Sequence, residues 1–127
     1  EDEPELPRVI IADFGLASFE WDAEGMQMAC GSPGYIAPEV ILRNPYGTSA
    51  DIFSVGSCLY TCAFRRLAFH GSTAVSILRR NLRCEPPFPE PGTTDVLPEC
   101  IDLMARCLVA DPADRISVHH AITHPFV

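Results

Sequence analysis

Cys30-Gly31-Ser32-Pro33-Gly34-Tyr35-Ile36-Ala37-Pro38-Glu39 is the stretch on which the reading of this chain turns. Its first half crowds two glycines and a proline together, the composition of a tight turn. Its second half puts Pro38 where a helix can begin, because the first helical N–H has no intrahelical partner to lose. Glu39-Val40-Ile41-Leu42 continues that helix and Asn44-Pro45 closes it. A Gly/Pro turn entering a helix accounts for the backbone of these residues. It does not account for the order of motifs on either side.

Upstream, Arg8-Val9-Ile10-Ile11-Ala12 is a β-branched run that reads as a short buried strand ending at Asp13-Phe14-Gly15. A carboxylate at a strand end suits a Mg²⁺ that keeps several waters and bridges phosphates. Leu16 to Pro38 shows no sustained period and is predicted to be a long loop of about twenty residues, a length usual in functional segments. Downstream, Ser49 or Asp51 opens a helix to Phe64 whose apolar residues surround nearly its whole circumference, so it needs neighbours on most sides. Further helices are expected over Ser72–Arg83, with Val75, Leu78 and Leu82 inward, and over Leu97–Val109, with Leu97, Ile101, Met104 or Ala105, and Leu108 inward. Four prolines make Glu85–Gly92 an irregular connector. Ser117 caps a last helix through Ile122, which His124-Pro125-Phe126 terminates. The pattern is mainly α, with one or two short strands and five helices. A lone strand is no sheet, so its partners are expected outside these residues.

Four motifs then stand in order: Asp13-Phe14-Gly15, the 30–39 stretch, Asp51-Ile52-Phe53-Ser54-Val55-Gly56, and Cys107 to Ser117 followed by Ala121 and His124-Pro125-Phe126. Together they resemble the catalytic domain of eukaryotic-type serine/threonine protein kinases from the Asp-Phe-Gly onward, with Ala37-Pro38-Glu39 closing the activation segment that Asp13 opens. The Gly-Ser-Pro-Gly-Tyr form is similar to that of the calmodulin-dependent-kinase-like group. Phe53 departs from the pattern, where a tryptophan is commoner. The resemblance implies a partial protein-kinase-like fold, mainly the α-helical C-lobe, over residues 8–127, behind an acidic leader or loop at 1–7.

It also implies roles, residue by residue. Asp13, with Ala12 before it, would bind ATP and Mg²⁺, the metal bridging the β- and γ-phosphates. Phe14 matches the aromatic whose packing separates active from inactive forms, and Gly15 permits the turn beside it. Ser32 would line the substrate platform, and Pro33, Gly34 and Tyr35 would form the ledge that receives a protein substrate. Glu39 and Arg115 match a buried ion pair, and Asp51 a carboxylate that accepts from the catalytic-loop backbone. The catalytic loop itself, His-Arg-Asp-x-x-x-x-Asn, is not found in these residues, nor is a Gly-rich loop. No lysine occurs at all, since the nine basic residues are all arginine. The catalytic aspartate is therefore expected upstream, in a parent chain that also supplies the N-lobe, and this piece alone is expected to be inactive. The rival reading is a non-enzymatic, pseudokinase-like interaction module.

The remaining features exclude more than they assign. A net charge of −8 argues against nucleic-acid and anionic-membrane binding. No run of about twenty apolar residues spans a bilayer, and Glu1-Asp2-Glu3-Pro4-Glu5 reads as a solvated leader and not a signal peptide. The six cysteines lack a paired rhythm and are expected to be reduced, in an intracellular, cytoplasmic setting. From Leu16 to Gly31 the only hydroxyl residue is Ser18, and Glu20, Asp22 and Glu24 read as a solvated acidic stretch. His119, His120 and His124 point different ways and are assigned no metal.

Overall fold

Caps and prolines set the helix boundaries in the computed structural model of the chain, which describes residues 9–22 and 24–127. Two single 3₁₀ turns, Phe14–Leu16 and Gly25–Gln27, precede five α-helices: α1 (Pro38–Ile41), α2 (Ser49–Phe64), α3 (Ala74–Arg83), α4 (Pro98–Cys107) and α5 (Val118–Ala121). Pro38 and Pro98 occupy first-turn positions of α1 and α4, where proline costs no hydrogen bond. Thr73 and Ser76 form a reciprocal capping box on α3, and the Ser117 hydroxyl accepts from the His120 N–H at the start of α5. Arg65 and Cys84 end α2 and α3 in the left-handed conformation, doing without the glycine usual there.

The core lies between α2 and α4. Phe53, Gly56, Ser57 and Tyr60 of α2 are buried against Cys100, Leu103, Met104 and Cys107 of α4. Gly56 is what lets the two helices touch, because a Cβ there would stand 2.5 Å from the Cβ of Cys107. Phe53 stacks on Phe69, and the Tyr60 hydroxyl donates to the Pro87 carbonyl at 2.7 Å, holding the proline-rich connector down. Of the two candidates on α4, Met104 is buried and Ala105 exposed, while Leu97 caps the helix in solvent.

Leu97 was expected inward, and the structure departs from the sequence expectations in three further places. No strand forms among the described residues: Val9 to Ala12 is irregular and open, with Val9 89% exposed, and Arg8 lies outside the described residues. A strand needs a partner for its N–H and C=O groups, and none stands beside this one. Helix α2 is not covered all round, since Asp51, Val55, Cys58 and Cys62, spaced along one face, are exposed. Helix α3 turns Ile77, Leu78 and Asn81 inward instead of Val75, Leu78 and Leu82. The buried Asn81 amide donates to the Ile36 carbonyl at 2.8 Å, and that polar bond, not the apolar periodicity, fixes the rotation of α3.

Candidate functional site: the segment between Asp13 and Glu39

The 31–39 turn is seated on α2 and α3 through its backbone. Gly31 and Gly34 adopt φ of 128° and 95°, values that favour glycine. At Gly34 a Cβ would also press on Leu67 at 3.3 Å. The Tyr35 and Ile36 N–H groups donate to the Ser32 carbonyl, closing the turn. The Tyr35 carbonyl then accepts from the Ser54 hydroxyl at 2.9 Å, and the next carbonyl takes the Asn81 amide. Ser32 is left exposed at the surface of this turn, with Pro33 and Tyr35 half-buried beside it.

At the end of the segment Glu39 and Arg115 form a bidentate pair, 2.7 and 2.9 Å, with both side chains almost fully buried. Nη1 also donates to the Ser49 carbonyl, Nη2 to Ala110 and Nε to Val109, so each of the five guanidinium N–H groups has an acceptor. The guanidinium carbon further sits 5.1 Å over the Phe53 ring. One arginine thus joins α1, the start of α2 and the loop after α4. Burial pushes the thiols of the nearby Cys84 and Cys107 up to about 11, against the opposing pull of Arg115, so both are neutral at physiological pH.

The other end of the segment is open. Asp13 stands in the left-handed region at φ 63°, one carboxylate oxygen accepting the Gly15 N–H at 3.4 Å. Phe14, exposed, packs into no core among the described residues. Asp13, Ala12, Ser32, Tyr35, Asp51 and Val55 line a single cleft of about 670 Å³ floored by the uncovered face of α2. The cleft therefore brings together the residues singled out from sequence for phosphate, substrate and catalytic-loop contacts. Glu39 and Arg115 lie apart from it. One carboxylate with a free oxygen on a solvent-open cleft fits a Mg²⁺ that keeps most of its waters. Among the described residues no group of three acidic, histidine or cysteine side chains could enclose a metal.

Two residues that sequence reasoning passed over shape the middle of the segment. Asp22 is no idle member of an acidic stretch: its carboxylate accepts the N–H groups of Glu24 and Gly25 and the Ser18 hydroxyl, all at 3.2 Å. The Gly25 bond, followed by Ser18, holds its pKa below the ordinary aspartate range. An aspartate three residues ahead of a glycine is a turn signature, so the signal was present. Tyr46 reaches back across the segment, its one hydroxyl proton shared between the Gly25 and Met28 carbonyls at 3.1 and 3.0 Å. Burial first, then Cys30 beside it, raises the Tyr46 pKa, which keeps it a donor. No local pattern announced that contact. All six cysteines are free, and no helix among the described residues is long and apolar enough to cross a membrane.

The chain belongs to the protein kinase family: the protein kinase domain model matches residues 2–127. It is 33% identical over 94% of its length to a probable myosin light chain kinase of Dictyostelium discoideum, and covers 30% of that protein. It is 30% identical over 98% of its length to calcium/calmodulin-dependent protein kinase type 1 of Caenorhabditis elegans, covering 36% of it. Among solved structures it is similar to the twitchin kinase region of C. elegans, with a TM-score of 0.69 and 28% identity over 73% of this chain and 17% of that one. Its relatives are serine/threonine kinases of the calmodulin-dependent-kinase-like kind, and it spans about a third of the first two.

Proposed function

We propose that residues 8–127 form the activation segment and C-lobe helices of an intracellular serine/threonine kinase that transfers the γ-phosphate of ATP to a protein substrate. The observation that carries this reading is the cleft that gathers Asp13, Ser32, Tyr35 and Asp51 over an uncovered face of α2. Asp13 would hold Mg²⁺, which when bound neutralises charge between the β- and γ-phosphates of ATP. Ser32, exposed on the rim, would orient the catalytic carboxylate and the incoming hydroxyl. Pro33 to Tyr35, fixed to α2 through Ser54, would hold the substrate backbone in place. The Glu39–Arg115 pair acts at a distance, by keeping that platform from shifting. Positioning and charge stabilisation make up nearly all of phosphoryl transfer. No general base is offered by the motifs of these residues, so a catalytic loop must enter the cleft, where Asp51 is free to accept its N–H groups.

Two proteins test this: the 127-residue chain alone, and the full-length protein that carries it, each given ATP, Mg²⁺ and a generic protein substrate. The chain alone should transfer no phosphate. The full-length protein should do so, and Asp13→Ala should abolish it. Transfer by the isolated chain that Asp13→Ala removes would overturn the reading. A second reading, a non-enzymatic interaction module, draws on the closed packing of the 30–127 region, and a full-length protein inert toward ATP would favour it.

A further inference from the structure

Charge is not spread evenly over this acidic chain. Residues 65–83 carry five of its nine arginines (Arg65, Arg66, Arg79, Arg80 and Arg83) and none of its 17 acidic residues. We infer that the outward face of α3 is a docking surface for an acidic, amphipathic protein segment. At about 100° per residue, Leu82, Val75, Arg79 and Arg83 fall within about 100° of the helix circumference, with Arg80 next to them. All five are exposed, while Ile77, Leu78 and Asn81 face the core. Val75 and Leu82 keep 59% and 36% of their surface in water directly beside the guanidinium groups. Among the described residues none of these arginines lies in an ion pair.

The helix dipole favours Arg80 and Arg83 in the last turn. It gives no reason for Arg79, nor for two large apolar side chains left open at its side. An acidic amphipathic segment uses both features, its carboxylates meeting the guanidinium forks and its apolar residues covering Val75 and Leu82. A nucleic acid would use the arginines alone, and its long charge would run onto the acidic remainder of the surface. The patch thus fits a short segment whose negative charge is confined to the footprint of one helix face.

The surface is independent of the cleft and of catalysis, so binding tests it directly. The probe is a fluorescein-labelled peptide of two Glu-Leu-Glu-Glu-Leu-Leu-Glu heptads, titrated by anisotropy against the full-length protein at low and high salt. We expect saturable binding that weakens as salt is raised. R79E/R83E should weaken it by about tenfold or more, R79K/R83K should weaken it less, because the charge is kept while the bidentate fork is lost, and V75S/L82S should weaken it without changing charge. Melting curves identify any variant that fails to fold, and V75S/L82S and R79E/R83E act through unrelated chemistry, so one remains decisive if the other is lost. Binding indifferent to both variants, or no saturable binding, overturns the inference. So does equal binding of an all-glutamate peptide, or tighter binding of duplex DNA or of phosphatidylserine vesicles through the same arginines.

Discussion

Residues 30–127 and residues 9–29 both carry motifs of the family, three in the first region and the three-residue Asp13-Phe14-Gly15 in the second, yet the first region is closed and the second open. Around Glu39 every polar atom of the pair with Arg115 has a partner, and the core runs unbroken from Val40 through Phe53 to Met104. In the opening region Val9, Ile10, Ile11, Phe14, Leu16, Phe19, Trp21 and Met28 are all exposed. The difference lies in whether a motif's partners stand among the described residues. Ala37-Pro38-Glu39 finds its partner at Arg115, whereas Asp13-Phe14-Gly15 finds none among the described residues. A motif can therefore be recognisable in sequence while no packed surroundings stand around it among the described residues.

The largest expected effect breaks or sustains this contrast outright. Exposed apolar residues ahead of Met28, an open cleft and the uncovered Val55 face should together offset the stability of the closed region, which for a domain is only about 5–15 kcal/mol. The 127-residue chain alone is expected to give helical far-UV circular dichroism, self-association in sedimentation, and no cooperative melt. A sharp, reversible transition from a monomer would show that the open region costs the closed one little.

Next in size is the anchor of the closed region. In the full-length protein, Glu39→Ala should cost about 3–5 kcal/mol in denaturant unfolding, because it strands a buried guanidinium. Arg115→Ala should cost more, since the Ser49, Val109 and Ala110 carbonyls lose a donor along with Glu39. Sub-kilocalorie effects would mean that the pair does not anchor the segment. The glycines provide a smaller, matched comparison. Gly56→Ala drives a methyl into Cys107 and should cost about 1–3 kcal/mol. Gly15→Ala meets only the Asp13 carboxylate at 3.3 Å and should leave the melting temperature nearly unchanged.

Helix positions were legible because each is announced locally: Pro38 and Pro98 at first turns, Ser117 as a cap, and apolar spacing in between. The Glu39–Arg115 pair was legible only through resemblance, because no local rule links residues so far apart. The strand expected at Arg8–Ala12 did not form over its described part, since β-branched residues need a neighbouring strand that composition cannot promise. The inward face of α3 was misread because periodicity counts apolar residues, and the element is rotated by an asparagine hydrogen bond. Asp22 is solvated as expected, but its turn was missed. Its neighbours Glu20 and Glu24 invite a solvated-stretch reading, although only Asp22 has the spacing to Gly25 that makes a turn.

That turn is the exception to the openness of the first region, and it supports the smallest prediction. The Gly25 and Glu24 amides and the Ser18 hydroxyl depress the Asp22 pKa, so the folded carboxylate ionises more readily than the unfolded one. Its contribution to loop order is then complete above the ordinary aspartate range and is lost only as pH falls through the lower folded value. Trp21, the only tryptophan in these residues, stacks on Phe19 with ring centroids 4.5 Å apart and sits next to Asp22. In the full-length protein, with any other tryptophans replaced, Trp21 would report this loop alone. Its emission should be flat through neutral pH and change on an acid limb below that of an ordinary aspartate. Asp22→Asn retains an acceptor for the Gly25 N–H but cannot titrate, so the limb should vanish while the neutral-pH spectrum stays close to wild type. If both proteins titrate alike, the acid change belongs to global unfolding, and the first region is open throughout, with Asp22 no more structured than the acids beside it.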